Sequence, residues 1–249
     1  MRTSEPARTD APLLRVAGLT SGYGDLAATR DLSFDVHEGE LAALMGSNGA
    51  GKTATLLAVM GVNSVHSGSV QVSGRDVTRL AVTKRVREGV SLVLEGRRLF
   101  PALTVRENLE IAGSASGHPV EERLERVLEL FPLLPPLMER PAGALSGGEQ
   151  QACALGRGLM AHPRLLLVDE LSLGLAPVVV DALLDALTRV HAEFGATVLF
   201  VEQNTDRALS VAERAIVLSR GEKVLDGPAS EIAARRDELE RAFLGVAAA

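Results

Sequence analysis

The chain holds 249 residues, 46% of them hydrophobic, and its 26 lysines and arginines face 32 aspartates and glutamates for a net charge of −6. That length buries a full α/β core, and the acidic balance excludes a protein that wraps nucleic acid, which needs a surplus of cations to neutralise phosphates. With no Trp, six Phe and a single Tyr, Tyr23, base-stacking platforms and aromatic sugar clefts are excluded as well.

Residues 1–11, MRTSEPARTDA, are polar, lack the apolar core of a signal peptide and read as a flexible leader. Apolar alternation then predicts short strands at Leu13–Leu19, Leu32–Val36, Leu41–Met45 and Val70–Val72, with turns at Gly39 and Ser73-Gly74. A helix follows the third strand, with Leu56, Leu57 and Met60 on one face. The charge runs Lys84–Arg87 and Arg235–Glu238 read as solvated helix faces. Val120, Leu124, Val127, Leu128 and Phe131 recur at helical spacing, and the proline-rich stretch 131–141 closes that helix. Beyond it, apolar runs Leu165–Val168 and Thr197–Val201 alternate with helical stretches Val178–Val190 and Thr205–Ala212, the pattern of a parallel sheet covered on both faces. Arg214–Asp226 reads as a hairpin turning at Arg220-Gly221, and residues 245–249 as a frayed tail. No stretch reaches the ~20 apolar residues of a membrane span. The lone cysteine, Cys153, reads as a small buried residue in a reducing, cytosolic setting.

Two segments carry chemistry. Gly46, Ser47, Asn48, Gly49, Ala50, Gly51, Lys52 and Thr53 form G-x-x-x-x-G-K-[ST] between a strand and a helix, the arrangement of a phosphate-binding loop. Its glycines let backbone N–H groups close on phosphate oxygens, Lys52 offers a cation to the β- and γ-phosphates, and Thr53 offers a hydroxyl to magnesium. Hydrolysis needs groups from elsewhere. The run LLLVDE ends a buried strand on Asp169, a magnesium-orienting acid, with Glu170 beside it as general base toward the attacking water.

Between these segments, LSGGEQQ opens a helix at residues 145–151, with Ser146 as cap and Glu149 completing a capping box. Its position between the phosphate loop and Asp169, behind a helical insertion, resembles the signature of the ATP-binding-cassette (ABC) ATPases, and the resemblance spans nearly the whole chain. It implies an α/β P-loop NTPase of ABC-ATPase type: a mixed sheet core, an antiparallel β subdomain and a helical subdomain at about residues 96–160, all within one domain over 12–244. It also implies ATP and Mg2+ as cofactors and two ATPase subunits paired head to tail. Ser146, Gly147 and Gly148 then complete the partner's site, and Tyr23 in SGYG stacks on adenine.

Three positions depart from the wider family. Glu95 stands where a magnesium-sensing glutamine is usual, Gln203 where a switch histidine is usual, and Ala176 where an aspartate is usual. EGRRLFP, SLGLAP and VEQN together resemble one of the paired ATPases of branched-chain amino acid importers, or of the related urea and amide importers. The resemblance implies membrane permease subunits and, indirectly, an extracytoplasmic substrate-binding protein. It implies a second ATPase subunit, either a sister chain or a copy of this one, and a peripheral location on the cytoplasmic face of the membrane. Permease loops would enter a groove near Glu95 and the helical insertion, where Arg97-Arg98 are either contacts or solvated surface. Ala54 replaces a hydroxyl residue that touches the α-phosphate, and Leu94 and Leu171 replace prolines. These changes, with Gln203, keep open a second reading, a nucleotide-dependent clamp with little turnover.

Overall fold

The computed structural model describes residues 11–114, 119–172 and 174–244. Strands β1 (Pro12–Tyr23) and β2 (Leu26–His37) alternate buried and exposed side chains, so they pair as an antiparallel hairpin with one face on the core. Every residue of β3 (Leu41–Gly46) is buried, which places it inside a sheet rather than at an edge. Strands β4 (Ser64–Val72) and β5 (Arg75–Asp76) complete a four-stranded antiparallel sheet ordered β2-β1-β4-β5.

The second sheet draws on the whole chain. Strands β6 (Val90–Val93), β7 (Leu165–Val168), β8 (Thr197–Val201), β9 (Arg214–Ser219) and β10 (Glu222–Pro228) join β3 in the order β10-β9-β3-β8-β7-β6. All pairs are parallel except the terminal β9-β10 hairpin, so the sheet is mixed. Alternate residues of one strand feed different cores. Ala42, Leu44, Leu199, Val201 and Leu167 face the antiparallel sheet and helix α1 (Lys52–Met60). Ala43, Met45, Val198, Phe200 and Val168 belong to a second core with the helices of the other face.

A short helix α2 (Val82–Arg87) precedes β6; α3 (Val105–Ser114), α4 (Val120–Leu130) and α5 (Gly147–Met160) then pack together. The proline-rich stretch after α4 admits only a 3₁₀ turn at Pro135–Leu137, because proline lacks the amide that continues an α-helix. Helices α6 (Pro177–Phe194) and α7 (Thr205–Val211) separate the later strands, and α8 (Ala229–Ala234) and α9 (Arg236–Leu244) end the described chain. Among the described residues no helix is long and apolar enough to cross a membrane. The expected leader, apart from Ala11, and the expected tail at 245–249 lie outside the described residues.

One expectation is overturned. Within the charge run Lys84–Arg87, Arg85 is not solvated but 1% exposed. Its guanidinium donates to the carbonyls of Ala58 (2.7 Å), Val59 (2.6 Å), Thr78 (2.8 Å) and Leu80 (3.1 Å). A planar fork of donors satisfies carbonyls at the end of α1 that a helix terminus leaves unpaired. The run Arg235–Glu238 does sit at the surface, with an exposed Arg235–Glu238 ion pair. Cys153 is fully buried, as read.

Candidate functional site

The loop from Gly46 to Gly51 turns where only glycine fits. Gly51 has φ +100°, and a Cβ there would lie 2.8 Å from the Ala28 carbonyl; Gly46 has φ +145°, with the Leu218 carbonyl 2.3 Å from its would-be Cβ. The loop is thereby pressed against β2 on one side and β9 on the other. Lys52 is 5% exposed and donates Nζ to the carbonyls of Gly46 (2.9 Å) and Ser47 (3.0 Å), which folds the ammonium back over the loop. Burial lowers its pKa, and the charges of Glu170 and Asp169 oppose that shift.

Asp169 directly follows β7 and is fully buried, and its Oδ1 accepts the Thr53 hydroxyl at 3.0 Å across 116 residues of sequence. Its Oδ2 is buried with no hydrogen-bond partner among the described residues. Burial pushes its carboxyl up to about 6, with smaller upward pushes from Glu170 and Glu95 set against the Thr53 bond and the Lys52 charge. An orphaned carboxylate oxygen beside a threonine hydroxyl is a hard-oxygen donor set that fits magnesium. Glu170 follows in the left-handed region at φ +45°, which turns its side chain out of the strand direction.

A cleft of about 420 Å³ gathers what the sequence scattered: Tyr23, Thr53, Lys52, Glu95, Glu170 and Gln203 all line it. Asn48, Gly49, Gly51 and Ala54 line it too, and Ala28 joins them although nothing in its sequence setting marked it. Tyr23, at the tip of the β1-β2 hairpin, is 56% exposed at the rim.

Residues 29–172 match the family model described as ABC transporter. The chain belongs to the ABC transporter family. It is 42% identical over 204 residues to the high-affinity branched-chain amino acid transport ATP-binding protein BraG of Pseudomonas aeruginosa, an alignment covering 82% of this chain and 87% of that one. To the probable branched-chain amino acid transport ATP-binding protein LivF of Archaeoglobus fulgidus it is 32% identical, over 94% and 99% of the two chains. The methionine import ATP-binding protein MetN of Brucella abortus matches at 31%, so the relatives differ in cargo. The fold agrees with that of MJ1267, an ATP-binding cassette of an ABC transporter solved in its ADP conformation, with a TM-score of 0.83 at 24% identity over 94% of this chain and 99% of that one.

In this ABC ATPase subunit the signature-like segment lies apart from the cleft. Ser146, Gly147 and Gly148 stand at the N-terminus of α5 and do not line the cleft. The predicted capping box is formed, with the Ser146 amide donating to Glu149 at 2.7 Å. Leu171, in place of the expected proline, is fully buried and anchors the turn after Glu170. Arg97 donates to Gln150 at 3.2 Å, tying the segment after Glu95 to α5. Glu202, inside the VEQN stretch, is a further residue that the sequence did not single out: it is 1% exposed, and its Oε1 accepts three hydrogen bonds. An acid between an apolar strand and a polar turn was its only signal.

Proposed function

We propose that this ATPase energises an importer of branched-chain amino acids or related small amino acids and amides, from the cytoplasmic face of the membrane. The observation that carries the chemistry is the convergence of Lys52, Thr53, Glu95, Glu170 and Gln203 on one cleft, with the unpartnered oxygen of Asp169 beside Thr53. The cargo rests on the likeness to BraG and LivF.

In this reading Tyr23 stacks on adenine and the loop amides seat the phosphates. Lys52 swings from the Gly46 and Ser47 carbonyls to the β- and γ-phosphates. Thr53 and Asp169, with Glu95 near them, hold magnesium, which supplies charge neutralisation on the phosphate oxygens. Glu170 accepts a proton from the attacking water, and the Gln203 amide donates to the γ-phosphate as charge builds there. Residues 12–244 form one domain, with 96–160 as its helical subdomain. Two such domains pair so that Ser146, Gly147 and Gly148 of each close the other's site. Permease loops enter a neighbouring groove lined by Val93, Arg98, Phe100, Ile111 and Arg157, where Phe100 and Ile111 are half exposed.

Glu170→Gln tests the chemistry. Turnover should fall by about 100-fold or more while ATP still binds; turnover at the unmodified rate would show that the base lies elsewhere. Purification from membranes tests the setting: a permease pair and a second cassette should accompany the chain, and recovery of ribosomes or DNA instead would sink the transport reading.

A further inference from the structure

Glu202 is a buried carboxylate to which the mechanism above gives no role. It directly follows β8, next to the end of β7 that leads into Asp169 and Glu170. Its Oε1 accepts the Ser172 hydroxyl at 2.7 Å and the backbone N–H groups of Gln203 and Asn204, each at 3.0 Å. Ser172 belongs to the turn that follows Glu170; Gln203 and Asn204 open the turn that leads into α7. One oxygen therefore joins the loop that carries Glu170 to the loop that carries Gln203.

Each loop is also fixed at its far side. Leu171 is fully buried, and the Asn204 side chain caps α7 by accepting from the Arg207 amide at 3.0 Å. Glu170 itself holds φ +45°, a backbone state that a non-glycine residue keeps only when its surroundings impose it. The Ser172–Glu202 bond is a restraint of that kind, two residues away. We propose that Glu202 is a positioning residue that sets the separation between Glu170 and Gln203, so that base and γ-phosphate donor act on one geometry. The inference rests on the reading of Glu170 and Gln203 as the reacting groups. Rate depends steeply on such spacing, since displacements of about 1 Å cost about 100-fold.

The test uses the full chain with Glu202→Gln, Glu202→Ala and Ser172→Ala. Glutamine keeps an accepting oxygen at the junction of the two loops, alanine keeps none, and the serine variant frees only the Glu170 loop. Expected is a loss in kcat of about tenfold or more for Glu202→Ala with KM for ATP changed by no more than about twofold, a pattern that marks a loss confined to the transition state. Glu202→Gln should recover most of that loss, and Ser172→Ala should show part of it. Equal kcat in Glu202→Ala and wild type overturns the proposal, as does a Glu202→Gln variant as slow as the alanine one. So does an alanine variant in which melting temperature and ATP affinity fall together with kcat. If Glu202→Ala does not fold, the half-buried Ser172→Ala decides, and unchanged kcat there is again fatal. Gln203→Ala and Glu170→Gln run alongside: if neither slows turnover, the reading of the reacting groups fails, whereas if both do and the Glu202 and Ser172 variants do not, only this inference fails.

Discussion

Asp169, proposed as a magnesium-side acid, shows what such a placement costs a fold. Burial raises its carboxyl from 3.8 to about 6, so at neutral pH the ligand-free chain holds an anion that is poorly hydrated and bonded on only one oxygen. An acid whose folded pKa is raised contributes stability that is fully present below its unfolded pKa and is lost as pH rises through the folded one. Asparagine at this position is neutral throughout. The melting temperature of Asp169→Asn, without nucleotide or metal, should therefore gain on wild type between pH 3.8 and about 6 and keep its lead above that. A constant gap across the range would rule out burial of charge as the cause. The same variant should lose nucleotide-dependent stabilisation, which ties the cost to the donor set that it serves. Asp169 was legible in the sequence because a buried strand ending in an acid downstream of a phosphate loop has one common use. Glu202 was not, because its partner Ser172 lies 30 residues away and only the pairing of β7 with β8 brings them together.

At the scale of elements, α1 is held at both ends by unusual means. Its N-terminus is the phosphate loop; its C-terminus is closed by Gly61 and by Arg85, reaching across from α2. A cation at that end also complements the helix dipole. Arg85→Met removes every guanidinium donor and leaves the carbonyls of Val59, Thr78 and Leu80 to pair with water they cannot easily reach, while Ala58 keeps the Gly61 amide. The variant should lose about 3 kcal/mol or more, which a chain of this size reads as a fall of about 10 °C in melting temperature. A change within about 2 °C would show that the guanidinium contributes little net. Glycine placement and the switch in hydrophobic period made β3, the loop and α1 readable, and likewise β7, α6 and β8. A run of charges says nothing of burial, however, because what decides it here is a set of carbonyls contributed by other elements. The short helix α8 escaped for a related reason: six residues give too little periodicity to distinguish from loop.

For the whole molecule, the phosphate loop is built from both ends of the chain. Strand β3 is flanked by β8 and β9, the latter pairing Gly46 with Leu218. The turn of the last hairpin closes over the loop itself: the Gly221 amide donates to Ala50 at 3.0 Å, and the Arg30 amide donates back to Gly221 at 2.8 Å. The Arg30 guanidinium reaches Arg220 across 190 residues of sequence. Contacts so distant form late, since the chain between them must first be ordered. A chain truncated at Glu213 should bind ATP at least about 100-fold more weakly than the full one and be cut by protease within residues 46–53; intact affinity would show that the loop closes on its own. During synthesis, the motif translated among the first is thus among the last to be completed. A polypeptide cut short of its final hairpin carries Lys52, Asp169, Glu170 and Gln203 yet has no finished seat for the phosphates, so incomplete chains are kept from consuming nucleotide.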